Sequence, residues 1–587
     1  MKKFFSETLC EAGHRFIPFL DWIGELKKPA ILKADILAGI TVALVLIPQA
    51  MAYAQLAGLP PHYGLYASFL VPIVAAVFGS SRQLQNGPVA IISLMTAAAL
   101  APLGLNVEQT IMYAALLALM AGGIQLTLGF LRLGVIVDFL SHPVVIGFTN
   151  AAALVIASMQ FGKLFGIVVT PGNHLHETLW KLVIAIPENT HMVTLFMGGG
   201  ALVLLILLKR FTPKLPGILL TVVITTVVAW FTGYEKLGGA VVGHIPAGLP
   251  SFVWPEYNPD HVKALVLPAG MIAFLSFVEA FSIAKAVASK TRQRLSADQE
   301  MVGKGLANLV AGVFQGYPVS GSFSRTAVAF DAGAKTGFAA VVSGIVVGIT
   351  LLFLTPLMYH LPIATLAAII IIAVVGLFQI APLLHSWKVN PHDSVVALVV
   401  FSSTIYFAPH LEKGIYIGIA LSLAFYIYRT MRPHFAEVAM HEDGTYRDAN
   451  LFGLQTSETL ALFRYDGDLY FVNSGYLEKC LVNAVADKPQ LLVAILDIEA
   501  VEQIDTTGEE MLAHMSEWFK EAGIEFYITR PKFKVVDVLK RTGLYDKIGQ
   551  EHIYNKRRDA LEAIQKKYGD RIDVKHLQHC IPVGITA

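Results

Sequence analysis

The stretch that decides the fold is ILAGITVALVLIPQAMAYAQLA, residues 36–57, which contains no charged side chain. About 20 apolar residues in a helix cross the roughly 30 Å hydrocarbon core of a bilayer. Over the whole of residues 36–160, the only Lys, Arg, Asp or Glu residues are Arg82, Glu108, Arg132 and Asp138. This part of the chain is therefore predicted to lie in a membrane.

The overall composition agrees with a membrane protein. The 587 residues are 55% hydrophobic and 15% charged, whereas soluble proteins have roughly 25% charged residues. A purely soluble enzyme is excluded, and the net charge of +1 gives no basic surplus for nucleic acid. The chain has no phosphate-binding loop for ATP, and its three cysteines stand at unrelated spacings. We expect no enzymatic activity, cofactor or metal site.

Breaking the apolar runs at charges and at Pro/Gly clusters predicts fourteen membrane spans. Their approximate bounds are 36–57, 65–79, 87–104, 109–131, 135–160, 190–210, 216–233, 262–288, 299–316, 322–331, 337–359, 362–381, 392–408 and 412–430. If the N-terminus is cytoplasmic, most of the Lys and Arg residues fall in inner loops, as the positive-inside rule requires. Both chain ends are then cytoplasmic.

The composition changes after Arg432-Pro433, where charged runs begin. We expect a cytoplasmic N-terminal segment (1–35), a membrane domain (36–432), a small cytoplasmic α/β domain (440–570) and a tail (571–587). In the α/β domain we predict strands at 461–473, with a hairpin turn at Asp466-Gly467, at 491–498 and at 525–529. Helices are predicted at about 475–485, 507–522 and 532–541.

Two of the predicted spans are too short and begin with helix-start chemistry inside apolar sequence. One follows NGPVA (86–90), where Asn86 is expected to cap the helix and Pro88 to lie in its first turn. The other follows PVSGSFSR (318–325). Non-helical backbone at membrane depth is tolerated only where protein buries it or water reaches it. We interpret both as half-helices beside a cavity, the alternative being that Gly and Pro merely kink packed helices.

The two half-helices are the third and tenth spans, which are corresponding positions if the chain consists of two inverted repeats of seven. Each helix N-terminus carries about half a positive charge, and Arg325 adds a whole one, so the cavity should select an anion. Glu279 is another isolated charge in an apolar segment. It is either a counter-ion to Arg325 or a proton carrier, and we favour the proton carrier.

Several separated motifs resemble the SulP sulfate permease family, which includes plant sulfate transporters. They are PQAMAYA (48–54), GLPPHYGLYAS (58–68), GSSR (79–82), GPVA (87–90) and GSFSRTAV (321–328). The resemblance implies an all-α membrane domain of the UraA-like, inverted seven-plus-seven type, in which a core domain moves against a gate domain. It also implies a homodimer in the cell membrane.

The resemblance further implies residue roles in this chain. The substrate-binding positions of the family carry over to Gln49, Tyr53, Val89, Ala90, Ser322, Phe323, Ser324 and Arg325. Tyr53 and Phe323 are equally compatible with ordinary packing. Glu279 matches an acid that the family uses for proton coupling, whereas sodium-linked members usually carry Asp in this region.

The C-terminal domain resembles the STAS domain, which sulfate transporters share with anti-sigma-factor antagonists. IDTTG (504–508) stands where the antagonists have a phosphorylated loop, so Thr506 is the corresponding regulatory position. The alternative is that Asp505 and Thr507 simply cap the next helix.

These patterns together predict a secondary active transporter of inorganic oxyanions. Sulfate transport by proton symport is the leading hypothesis. The anion would lie between the N-termini of half-helices 3 and 10. Bicarbonate or dicarboxylate symport, anion exchange with chloride, and an uncoupled anion channel are the alternatives that the sequence leaves open.

Overall fold

The computed structural model describes residues 17–134, 141–167, 175–212, 216–255, 258–408 and 410–577. The chain divides between Ser422 and Leu423 into two compact units. Residues 1–16 of the predicted N-terminal segment, residues 135–140 of the fifth predicted span and residues 578–587 of the predicted tail lie outside the described residues.

The first unit is helical. Its first half contains α1 (Leu20–Ile23), α2 (Pro29–Leu56), α3 (His62–Phe78), α4 (Ala90–Leu100), α5 (Val107–Phe130), α6 (His142–Phe165), α7 (Leu175–Asn189), α8 (Met192–Phe211) and α9 (Gly217–Thr232). Its second half contains α10 (Pro259–Thr291), α11 (Ala297–Val313), α12 (Phe323–Asp331), α13 (Phe338–Ile349), α14 (Ile363–Val375), α15 (Ala381–Val389), α16 (Pro391–Phe407) and α17 (Glu412–Met431), which ends beyond the division.

A helix lies at the position of every predicted span. Within the described residues, seven helices are long and apolar enough to cross a bilayer, and several of the others are shorter apolar helices. The two predicted half-helices are indeed short, because α4 has 11 residues and α12 has 9. The total of fourteen crossings stays a prediction.

The helix packing follows the predicted repeat of seven spans. When both helices of a packed pair are replaced by the helices seven spans away, the result is again a packed pair. α2 packs on α13 just as α5 packs on α10, and α3 packs on α13 just as α5 packs on α11. Likewise, α8 packs on α14 as α6 packs on α16, and α2 packs on α12 as α4 packs on α10. A chain of two inverted repeats is expected to pack in this way.

The first unit contains the short strands β1 (Asn86–Gly87) and β2 (Ser320–Gly321). The strands of the second unit are β3 (His434–Met440), β4 (Tyr446–Asp448), β5 (Leu460–Asp466), β6 (Val493–Asp497), β7 (Glu525–Thr529) and β8 (Ile553–Tyr554). They form a six-stranded sheet with the order β4-β3-β5-β6-β7-β8. The helices are α18 (Ala449–Phe452), α19 (Ser474–Ala486), α20 (Thr506–Glu521), α21 (Phe533–Thr542), α22 (Leu544–Ile548) and α23 (Arg557–Tyr568). β5 to β8 are parallel, so the unit is α/β as predicted.

The predicted hairpin at Asp466-Gly467 is wrong. β5 ends at Asp466, and its antiparallel partner is β3, which precedes it in the chain. Residues 470–473 turn into α19 instead of returning along β5. The Asp-Gly pair does end a strand, but a two-residue hairpin signal does not identify the partner strand.

The contact between α5 and α11 depends on glycine. A Cβ atom on Gly122 would lie 2.8 Å from the backbone oxygen of Gly305, and one on Gly305 would lie 2.7 Å from the backbone nitrogen of Leu126. The next residue, Gly123, has open space at the same position. The two helices therefore approach closely along one glycine face of α5.

This difference predicts opposite outcomes for two neighbouring substitutions. Gly122→Ala should lower the free energy of unfolding by about 1–3 kcal/mol, because backbone atoms must move apart. Gly123→Ala should be neutral or slightly stabilising, since alanine is the better helix former. Thermal unfolding of both purified variants in detergent measures the difference, and equal stabilities would contradict the close approach.

Candidate functional site

The two half-helices meet at their N-termini. The strands that precede them, β1 (Asn86–Gly87) and β2 (Ser320–Gly321), pair antiparallel, with Asn86 opposite Gly321 and Gly87 opposite Ser320. The Ser322 N–H donates to the Gln85 oxygen at 2.9 Å, which continues the pairing to the first turn of α12. The short β-bridge therefore brings together the two tips that the sequence places 230 residues apart, roughly one repeat of seven spans.

The local chemistry differs at the two tips. Ser322 is the N-cap of α12, and its hydroxyl accepts the Arg325 N–H at 3.4 Å. The expected cap of α4 is wrong, because the N-cap is Val89 and Asn86 lies in β1. The Asn86 side-chain oxygen instead accepts a hydrogen bond from Lys304 Nζ at 2.7 Å.

A network of buried amides and hydroxyls holds the bridge from behind. The Val319 N–H donates to Asn308 Oδ1 at 2.9 Å, and Asn308 Nδ2 donates to Gln125 Oε1 at 2.8 Å. Gln125 Nε2 then donates to Ser276 Oγ at 2.8 Å, while the Ser320 hydroxyl donates to the Ser276 oxygen at 2.8 Å. The bridge is thereby fixed to α5, α10 and α11.

A cavity of about 730 Å³ lies in front of the tips. Most of the predicted site residues line it: Gln49, Tyr53, Val89, Ala90, Ser322, Phe323, Ser324 and Glu279. The facing wall comes from α8, the start of α9 and α14, through residues such as Leu205 and Ile369. The cavity therefore separates the group of helices that carries the tips from a second group.

The lining residues differ in how they face this cavity. Phe323 is 64% exposed and Ser324 is also exposed, so both project into open space from the first turn of α12. Gln49 is only 3% exposed, and its Oε1 has no hydrogen-bond partner in the described part of the chain. One Glu279 oxygen, Oε2, is likewise buried and without a partner there.

Arg325 lies behind the cavity wall. Its side chain is completely buried and does not line the cavity. None of its guanidinium nitrogens has a hydrogen-bond partner within the described residues. A Cβ atom on Gly87 would lie 3.3 Å from Arg325 Nη2, and Gly87 has a φ of +155°, so the guanidinium approaches β1 where only glycine fits.

Sequence reasoning overlooked two buried charges next to this site. Lys304 is 2% exposed and interacts electrostatically with Glu279, Glu300 and Arg325. The Glu300 carboxylate accepts the N–H groups of Ser80 and Ser81 at 2.8 and 3.0 Å. Glu300 and Lys304 stand at the polar start of the ninth predicted span, close after Asp298, so the criterion that selected Arg325, a lone charge in apolar sequence, does not find them.

In the second unit, Thr506 is exposed at the first position of α20. Asp505 is the N-cap of this helix, with Oδ1 accepting the Gly508 N–H at 2.9 Å and Oδ2 accepting the Phe471 N–H at 2.8 Å. Capping by Asp505 is therefore confirmed, whereas Thr507 lies within the helix and is not its cap. Phosphorylation of Thr506 stays a prediction.

The comparisons with known proteins agree with this architecture. The model of the sulfate permease family matches residues 32–400, which is more than half of the chain. The chain belongs to the sulfate permease family. It is accordingly a multi-pass membrane protein, and a STAS domain matches at residues 453–560.

Relatives in this family align along most of the chain. The chloroplastic sulfate transporter 4.1 of Arabidopsis thaliana is 34% identical over 586 residues, covering 95% of this chain and 84% of that protein. A probable sulfate transporter of Mycobacterium tuberculosis, Rv1739c, is 32% identical over 545 residues, covering 91% of this chain and 96% of that protein.

Solved structures of two further proteins share the fold. The mouse Slc26a9 anion transporter in the inward-facing state matches with a TM-score of 0.86 at 24% identity, covering 94% of each chain. The transmembrane domain of the cyanobacterial bicarbonate transporter BicA matches with a TM-score of 0.57 at 21% identity, covering 66% of this chain and 97% of that one. At these identities the likeness concerns the fold alone.

The bond between Lys304 and Asn86 predicts a stability difference between two lysine substitutions in this family member. Lys304→Met should lower the free energy of unfolding by about 1–3 kcal/mol, because it leaves the buried Asn86 oxygen without a donor. Lys285→Met, at an exposed lysine of α10, is the matched control and should change it little. Equal losses of thermal stability in the two variants would contradict an anchoring role for Lys304.

Proposed function

We propose that the protein is a secondary active transporter of an inorganic oxyanion, with sulfate as the favoured substrate. The anion binds in the cavity in front of the two half-helix tips. The observation that carries the proposal is the β1–β2 bridge, which aims both helix N-termini at one cavity. Behind it lies a buried guanidinium that has no hydrogen-bond partner among the residues that the structure describes. The printed names of the aligned relatives, which are sulfate transporters, support the choice of sulfate.

The charge balance around the tips favours an anion. If all are ionised, Glu279 and Glu300 carry two negative charges and Lys304 and Arg325 carry two positive ones, so these four side chains sum to zero. The two helix N-termini then supply an excess of roughly one positive unit. Sulfate brings two negative charges, and protonation of Glu279 would remove one of the opposing charges. This balance supports proton symport, with Glu279 as the coupling residue.

The placement of Arg325 assigns it an electrostatic role through the wall. Because its guanidinium lies against Gly87 of the bridge itself, its charge acts on the tips at short range in a medium of low dielectric constant. Hydrogen bonds to the anion itself would come from the free N–H groups of the tips, from the hydroxyls of Ser322 and Ser324, and from Gln49.

Alternating access would proceed by movement of the two helix groups against each other. The lining of the cavity runs from the tips to the exposed residues Lys209 and Asp331. Lys209 lies in the last turn of α8, at the end that the charge distribution predicts to be cytoplasmic. We therefore assign this conformation to the inward-open state. From the family resemblance we further propose that the STAS domain is cytoplasmic and that the protein acts as a homodimer in the cell membrane.

Removal of the Arg325 charge tests the anion site. Arg325→Ala should weaken sulfate binding by at least about tenfold, since the loss of only about 1.4 kcal/mol of attraction between opposite charges in a medium of low dielectric constant has this effect. Lys388→Ala, which removes a positive charge from an exposed position on α15, should leave the affinity unchanged. Binding of radiolabelled sulfate to the purified variants measures this, and unchanged affinity in Arg325→Ala would remove Arg325 from the site.

Substitution of Glu279 tests the coupling. In proteoliposomes, an inward-directed proton gradient should stimulate sulfate uptake by the wild type. Glu279→Gln should bind sulfate but lose this stimulation, because an amide does not titrate. Glu300→Gln, a second buried carboxylate that does not line the cavity, should keep the stimulation. A wild type that responds to sodium and not to protons would refute proton symport, and competition with bicarbonate, succinate and chloride would establish the preferred anion.

A further inference from the structure

A second cavity lies at the end of the membrane domain where α10 terminates. It has a volume of about 420 Å³, and three arginines line it: Arg82, Arg292 and Arg294. Ser80, Trp22 and Asp21 also contribute to its wall. We call it the arginine pocket, and the proposed transport function does not use it.

Two of the three guanidinium groups are free to bind a ligand. Arg82 Nη1 donates to Glu25 Oε1 at 2.8 Å, so its charge is largely neutralised. Arg292 and Arg294 form no side-chain hydrogen bond or ion pair within the described residues, and both are exposed toward solvent. With the carboxylate of Asp21 counted against them, the pocket keeps a net positive charge.

The backbone at Arg292 is strained. Arg292 caps the C-terminus of α10 with a φ of +55° and donates its N–H to the Ala288 oxygen. Glycine occupies this conformation without steric cost, whereas an L residue with a side chain is disfavoured by about 1–2 kcal/mol. Arg292 therefore occupies this position at a conformational cost, which a substitution by glycine would remove.

The pocket is also connected to the candidate anion site. Ser80 and Arg82 belong to the segment that leads directly into β1. Gln83 belongs to this segment as well, and its Oε1 accepts a hydrogen bond from Nε2 of Gln293, another residue of the pocket wall, at 2.7 Å. The Ser80 hydroxyl donates to Glu300 at 2.9 Å. A ligand in the pocket would therefore touch the chain four residues before the half-helix bridge.

We propose that the arginine pocket binds a phosphate group. Guanidinium groups present planar, paired N–H donors that match phosphate oxygens, and two of them on alternate residues can hold one group from two sides. The phosphate would come either from the head group of an anionic phospholipid, which the predicted cytoplasmic leaflet supplies, or from a free phosphate compound.

The test uses the full-length protein purified in neutral detergent. Binding of inorganic phosphate is measured by isothermal titration calorimetry, and retention of phosphatidic acid against phosphatidylcholine by native mass spectrometry. Arg292→Gln/Arg294→Gln should weaken binding by about tenfold or more. Arg210→Gln/Lys388→Gln removes the same charge from exposed positions outside the pocket and should bind as the wild type does. Arg325→Ala should also keep this binding, which separates the pocket from the candidate anion site.

Arg292→Gly is a second variant, which tests the pocket even if the double substitution prevents folding. It should raise the thermal unfolding temperature, because it relieves the strained φ, and yet weaken phosphate binding. Phosphate binding in detergent would identify a free phosphate ligand, whereas retention of phosphatidic acid alone would identify a lipid head group.

Three outcomes would overturn the proposal. They are unchanged binding in both pocket variants, an equal loss in Arg210→Gln/Lys388→Gln, and no binding of either probe to the wild type. The first two would mean that the arginines only complement the C-terminal end of α10 or attract anions in a general way.

Discussion

Backbone groups that leave a helix inside a membrane need partners from the protein, because hydrocarbon offers none. In this chain, two interrupted spans meet that requirement with each other through the antiparallel pairing of β1 and β2. The pairing satisfies the strands and leaves the N–H groups at the starts of α4 and α12 directed toward the cavity. The placement of the predicted site residues at the two tips, Val89, Ala90, Ser322, Phe323 and Ser324, at one cavity follows from this contact.

The bridge is held by polar groups that are expensive to bury. Lys304 donates to Asn86, and Asn308 donates to Gln125 while it accepts the Val319 N–H just before β2. Arg325 is different, since it is fully buried and its guanidinium nitrogens lack partners among the described residues. A buried charge without a hydrogen-bond partner is unfavourable unless something else compensates for it. An anion in front of the bridge is the compensation that the geometry offers.

Local sequence signals located the half-helices correctly and yet misjudged two details. Gly, Pro and Ser in the middle of apolar runs mark the breaks at 86–90 and 318–325, because these residues start helices. The same signals assigned Asn86 to a cap, whereas Lys304, distant in sequence, binds its side chain in β1. The Asp466-Gly467 pair marked a strand end but not the partner strand, which precedes it in the chain. In both cases the structure is determined by a contact with residues distant in sequence, which a local sequence pattern does not include.

The sequence by itself determined the membrane domain, the α/β domain and the two breaks, because hydropathy and turn chemistry act over neighbouring residues. It also supplied the set of side chains that now line one cavity. Only the tertiary structure decided that Arg325 lies behind the wall and not in it, that Lys304 anchors the bridge, and that three arginines enclose a second pocket. Those facts depend on which helices pack together, and packing joins residues that no local pattern connects.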